Sequence, residues 1–93
     1  MKSSGIDRDM WNNRWKDIYR ITTAKKGVEV RLLNGKKAVG TAEVGLISEY
    51  ASANAAELFA ESFSMYATGA ANELPNIIRE YLDEFLLTIK ESM

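Results

Sequence analysis

Apolar residues recur at three- and four-residue steps over three stretches of this chain and alternate with polar ones over a fourth, a pattern that predicts three helices and one β-hairpin. The first helix is expected over 6–20, where Met10, Trp11, Arg14, Trp15, Ile18 and Tyr19 share one stripe. Ser3, Ser4 or Asp7 suits its N-cap. The β-branched run Ile21-Thr22-Thr23 disfavours continuation of that helix, and Gly27 closes the connection. The alternating segments 28–33 and 36–41 flank Asn34-Gly35, the strongest short-range signal for a two-residue turn, so a hairpin is expected within 28–44. Such a turn sets Val30 opposite Val39 and Val28 opposite Thr41. That makes one apolar side for docking, with Glu29 and Arg31 on the other. A lone two-stranded ribbon is marginally stable, so it must pack on the helices.

The second helix is expected over 55–67. Asn54 precedes the periodic segment and Glu57 follows three residues later, the spacing of a helix-start capping pair. Leu58, Phe59, Phe63 and Tyr66 form its inward stripe, Met65 flanks it, and Gly69 ends it. The third helix, 75–91, opens at Asn72-Glu73-Leu74-Pro75, with proline suited to the first turn. Ile77, Ile78, Tyr81, Leu82, Phe85, Leu86 and Ile89 give it a wide apolar face, while Glu80, Asp83 and Glu84 stay in water. That face is covered by the other two helices or by a second copy of the chain. No repeat, low-complexity tract or linker breaks this order. The expectation is a single domain, 1–93, of the α+β class and mostly helical.

Composition narrows the function classes. The 93 residues bury roughly 60% of their unfolded surface, enough for one modest core. A hydrophobic fraction of 46% with 27% charged residues is ordinary for a globular chain and argues against a disordered tail. The net charge of −1 supplies no general attraction to nucleic acid. With no cysteine there is no disulfide framework. No apolar run approaches the ~20 residues of a membrane span, and Met1-Lys2-Ser3-Ser4 is not a secretory start. A cytoplasmic location, in the host cell, is expected.

The segment Tyr50-Ala51-Ser52-Ala53-Asn54-Ala55-Ala56-Glu57-Leu58-Phe59-Ala60-Glu61-Ser62-Phe63 carries the pattern Tyr-Ala-x-x-Asn-x-x-Glu-x-Phe-Ala-Glu-x-Phe. It resembles the part downstream of the metal-binding helix in zinc peptidases of the anthrax lethal factor type and in peptidase-like domains of phage minor head proteins. The resemblance covers 48–66 well and 72–90 more loosely. It implies a third zinc ligand at Glu57, a tyrosine at Tyr50 that polarises the scissile carbonyl, and a supporting carboxylate at Glu61. The family's other two ligands come from an earlier His-Glu-x-x-His helix, and this chain has no histidine.

Physical chemistry argues the same way. Catalytic zinc takes about three protein ligands from imidazole, thiolate and carboxylate, plus a water. Without His or Cys only oxygen donors remain, which suit magnesium or calcium better. Glu57 and Glu61 stand four residues apart on one helical face, as a cation pair would, but Glu57 also fits the helix-start cap. Tyr50 likewise fits a buried tyrosine whose hydroxyl finds a partner such as Glu57 or Glu61. All three are therefore expected to be structural, with no catalytic residue, metal or cofactor. Phosphate-cradling glycine motifs, Gly-x-Ser-x-Gly and catalytic triads are absent from the sequence.

Two function classes follow. One is a piece, or a complementing half, of a zinc-metallopeptidase-like domain. The other is an independent protein that keeps the peptidase-like scaffold without its catalytic helix and acts by binding another protein. Met1 opening a full order of helix, hairpin, helix and helix favours the second. The resemblance to phage proteins implies a phage or mobile-element source and an inhibitor of a host or defence protein, such as a CRISPR nuclease. The expected binding residues are Trp11, Arg14 and Trp15 on the first helix and Lys36 and Lys37 at the hairpin tip. Trp, Tyr and Arg interleave there as in interface hot spots. The competing reading places both tryptophans in the core and the lysines on a solvated turn.

Overall fold

The computed structural model describes residues 7–33 and 35–91. Among them are helix α1 (Arg8–Thr23), strands β1 (Glu29–Arg31) and β2 (Lys37–Val39), and helices α2 (Ala55–Ala67) and α3 (Asn76–Glu91). Single 3-10 turns at Glu43–Leu46, Tyr50–Ser52 and Ala71–Glu73 shape the connections. The three helices enclose one core and the antiparallel hairpin lies outside it, giving a small α+β domain that is mostly helical. No helix among the described residues is long and apolar enough to cross a membrane.

Each helix is closed by local chemistry. Asp7 caps α1, its Oδ1 accepting from the Met10 N–H at 3.1 Å. Ser3 and Ser4 lie outside the described residues. Asn54 caps α2, its Oδ1 accepting from the Glu57 N–H at 2.8 Å. At the far end of α2 the Ala70 N–H returns to the Met65 carbonyl at 2.8 Å, the six-to-one bond of a Schellman ending. Pro75 sits just ahead of α3, and its carbonyl accepts from both Ile78 and Arg79.

The β-branched run does not stop α1, which continues to Thr23. Thr22 Oγ1 donates to the Ile18 carbonyl at 2.9 Å and Thr23 Oγ1 to the Tyr19 carbonyl at 2.7 Å. Their hydroxyls are thereby satisfied inside the helix, while Ile21 and Thr22 are buried. Tertiary burial outweighs the weak propensity penalty.

The hairpin register also departs from expectation. The Leu32 N–H donates to the Lys36 carbonyl (2.8 Å) and the Gly35 N–H to the Leu32 carbonyl (3.0 Å), so the loop holds three residues, 33–35. Gly35 takes the left-handed φ of +87° that this loop type needs. The added loop residue slides the pairing by one. Val30 faces Ala38 and is half-buried with it, whereas Val39 pairs with Glu29 and turns out to solvent. Val28 is exposed as well, so the ribbon presents no broad apolar side.

Main-chain bonds hold the hairpin base instead. Thr41 N–H donates to the Ile21 carbonyl at 3.0 Å, Gly27 N–H to Gly40 at 3.0 Å, and Gly40 N–H to Val28 at 2.7 Å. Gly40 is buried so tightly on the end of α1 that a Cβ there would collide with the Lys25 carbonyl and lie 2.7 Å from the Ala24 Cβ. Backbone rather than a flexible side chain blocks the space.

The core comprises Trp11, Trp15 and Ile18 of α1, Ala51, Leu58 of α2, Leu74, and Ile78, Tyr81 and Leu82 of α3. On α2 the inward line is Leu58, Ser62 and Met65 flanked by Phe59 and Tyr66, while Phe63 lies at the exposed edge, stacked on Phe59. Ser62 is itself fully buried. Its Oγ is fully buried without a hydrogen-bond partner among the described residues.

Two stability predictions follow from this packing. Gly40→Ala should lose about 1–3 kcal/mol by overpacking, read as a lowered urea midpoint with an unchanged slope. Ser62→Ala should hold or gain up to about 1 kcal/mol, because it removes a desolvated hydroxyl with nothing to bond. A loss larger than that in the same titration would reveal a partner for the hydroxyl.

Candidate functional site

An apolar groove opens where the three helices meet. Trp11 and Trp15 of α1 form one wall, Ala55, Ala56 and Phe59 of α2 a second, and Tyr81 and Phe85 of α3 the third. It encloses about 520 Å³, stands open on one side, and has Arg8, Asn12 and Lys16 on its rim. That volume falls within the range of about 300–1,000 Å³ in which ligands are bound.

The polar atoms of the walls are tied by internal hydrogen bonds. Trp15 donates its indole N–H to the Ala55 carbonyl at 2.7 Å, and Tyr81 donates its hydroxyl to the Trp11 carbonyl at 3.1 Å. Tyr19 adds a third link, donating to the Ser52 carbonyl at 2.7 Å. The rings interlock edge to face: Trp11 on Phe85 (5.2 Å, 66°), Trp11 on Tyr81 (5.4 Å, 79°) and Trp15 on Phe59 (5.4 Å, 88°). Aromatic pairs of this geometry each add about 0.5–1.5 kcal/mol beyond area burial. Burial pushes the Tyr81 hydroxyl above its ordinary pKa of 10.0, and the Arg14 charge partly offsets this. The phenol is therefore neutral, and a donor, throughout the physiological range.

Arg14 lies on the far side of this aromatic wall. Its guanidinium stands 5.0 Å from the Trp11 ring and 5.4 Å from the Tyr81 ring, and it pairs with Glu84 at 3.1 Å. It lines a second, smaller cleft of about 290 Å³ with Met10, Asn13, Asp17 and Leu33. Asp17 holds the hairpin there, accepting from the Leu33 N–H at 2.8 Å. Asp83, the residue of α3 that precedes Glu84, accepts from the Tyr66 hydroxyl of α2 at 2.5 Å, and that carboxylate raises the tyrosine's pKa.

The expected binding residues separate. Trp11 and Trp15 are core residues, 6% and 5% exposed, and offer only ring surface to the groove. Arg14 belongs to the neighbouring cleft. Lys36 and Lys37 are exposed on the hairpin, away from either lining, with Lys37 3.8 Å from Glu29. The groove residues Ala56 and Phe85, and the rim cations Arg8 and Lys16, lie outside the expected binding set. Lys16 follows Trp15 directly in sequence, yet only the helix packing reveals that they border the same cleft.

The residues singled out by the peptidase resemblance do not line the groove. Tyr50 is 71% exposed, which corrects the expectation of a buried, partnered tyrosine. It lies in a 3-10 turn whose neighbour Ala51, not Tyr50, points into the core. Glu57 is exposed in the first turn of α2, where its N–H is bound by Asn54 and its charge suits the helix dipole. Glu61, one turn on, is half-buried. Among the described residues no three His, Cys, Asp or Glu side chains converge as a metal site.

No family model, curated protein or solved structure matches the chain. The likeness to zinc-peptidase-like domains thus rests on the sequence pattern of 48–66, and more loosely of 72–90, alone.

Glu57 acting through its helix-start position leads to a direct expectation. Glu57→Gln should retain most of the stability, since glutamine also serves at that position, and stoichiometric zinc should leave the melting temperature of the native chain unchanged. Zinc stabilisation that disappears in the variant would overturn the structural role.

Proposed function

We propose that the chain works by binding another protein, seating a segment of it in the groove between α1, α2 and α3. The observation that carries this reading is the groove: a cleft of ligand-site size whose aromatic walls are pre-formed by internal hydrogen bonds. A rigid site avoids the ordering cost that weakens association. Its tryptophan and tyrosine rings are of the type that dominates binding energy at interfaces.

In the form favoured here the protein is a small non-catalytic phage or mobile-element product acting in the host cytoplasm. There it inhibits a host or defence protein, of which a CRISPR nuclease is one example. The phage-head-like residues of 48–66 support that form. The alternative is a complementing half of a zinc-metallopeptidase-like domain. It is favoured by the exposure of Tyr50 and Glu57, which leaves both accessible to another chain.

The test is capture from host lysate by the tagged chain and by its Ala56→Arg variant, with mass spectrometry of proteins and metals in each eluate. Ala56 is exposed on the groove wall, so the arginine obstructs the cleft without entering the core. A metal-free stoichiometric partner that the variant fails to retain is the expected result. A zinc-bearing, histidine-containing polypeptide retained equally by both forms would establish the peptidase alternative instead.

A further inference from the structure

We infer that the segment seated in the groove is an acidic amphipathic α-helix, whose apolar face fills the aromatic cleft and whose carboxylates meet Arg8 and Lys16. This rests on the protein-binding reading above and adds the chemistry of the partner.

The charge argument comes first. Among the described residues the groove lining includes two cations, Arg8 and Lys16, and no carboxylate, although the chain as a whole carries a net charge of −1. Among the described residues neither cation has an ion-pair partner, whereas Arg14 on the far side is already paired with Glu84. Both rim residues are exposed, so their desolvation by a bound segment is slight. Positions 8 and 16 lie eight residues apart on one helix, about 12 Å along its axis. A helix lying beside α1 brings residues about two turns apart opposite the two cations.

The helical form follows from the walls. Side chains of three helices supply the lining, and no strand of the hairpin contributes to it. An extended segment pressed into that cleft would bury main-chain N–H and C=O groups without partners. A helix satisfies them internally and presents its anchors at i, i+3 or i+4, and i+7. A second copy of this chain is the competing occupant, since Leu87 is exposed on α3 between Glu84 and Glu91. That face offers one exposed large anchor, and Glu84 is engaged by Arg14.

The experiment displays a library of helical peptides with a fixed apolar stripe and flanking positions free among Glu, Gln and Lys. It is selected on the native chain and counter-selected on Ala56→Arg. Glutamate should be enriched at flanking positions about two turns apart. The selected peptides should bind the Arg8→Glu/Lys16→Glu variant at least about tenfold more weakly, with the loss reduced at high salt. Circular dichroism of both variants checks that they remain folded. Enrichment of lysine or glutamine, an unaltered affinity for the charge-reversed variant, or no groove-dependent binder would overturn the inference. So would a dimer in sedimentation that both Ala56→Arg and Leu87→Glu dissociate, since it would assign the groove to a second copy. Groove-dependent capture from lysate without an acidic bias would sink this inference and leave the protein-binding reading standing.

Discussion

Trp15 donates its indole N–H to the Ala55 carbonyl at 2.7 Å while its ring meets Phe59 edge-on and lies tilted, 4.9 Å away, against Tyr81. One side chain of α1 thereby touches both other helices and holds the main chain at the start of α2. Burying an indole is favourable by area but costly if its N–H is left unbonded. The carbonyl at Ala55 removes that cost and at the same time fixes where α2 begins relative to α1. Tyr81 repeats the arrangement from α3, its hydroxyl on the Trp11 carbonyl. The inter-helix geometry is specified by these two directional bonds, with Leu58, Ile78 and Leu82 filling the space below.

A groove is the consequence of that arrangement. The large rings meet edge to face, and the small side chains of Ala55 and Ala56 on the α2 wall leave the cleft beside them open. Elsewhere on α2 the small Ser62 is fully buried, its hydroxyl without a hydrogen-bond partner among the described residues. The same ring set is thus both core and binding wall. This reconciles tryptophans that are almost wholly buried with a cleft that is lined by them.

The hairpin is attached by other means. Its strands are three residues each, and its base is joined to the end of α1 by the bond from the Thr41 N–H to the Ile21 carbonyl and by the close approach at Gly40. Asp17 grips the loop at Leu33, and Arg20 reaches the Arg31 carbonyl at 3.3 Å. Polar and backbone contacts therefore replace the apolar docking that alternation suggested. They leave the groove side of α1 unobstructed by the ribbon.

Much of the secondary structure was legible along the chain because it depends on neighbours three or four residues away. Asn54 with Glu57, the stripe from Ile77 to Phe85, and the turn around Gly35 are signals of that range. The α+β, mostly helical class followed from them. Features governed by distant contacts were not legible. Loops of two and three residues share the same glycine, so the hairpin register waited on how Leu32 and Lys36 met. Thr22 and Thr23 stay helical because the site is buried and their hydroxyls bond back. Ser62 rather than Phe63 faces inward, an orientation of α2 that the hydrophobicity of the two residues does not give. The sequence by itself determined the elements, their caps and the supply of aromatic residues. Only the tertiary structure decided which rings form a wall and that Arg8 and Lys16 border it, because residues 8 to 85 become neighbours only when three helices pack.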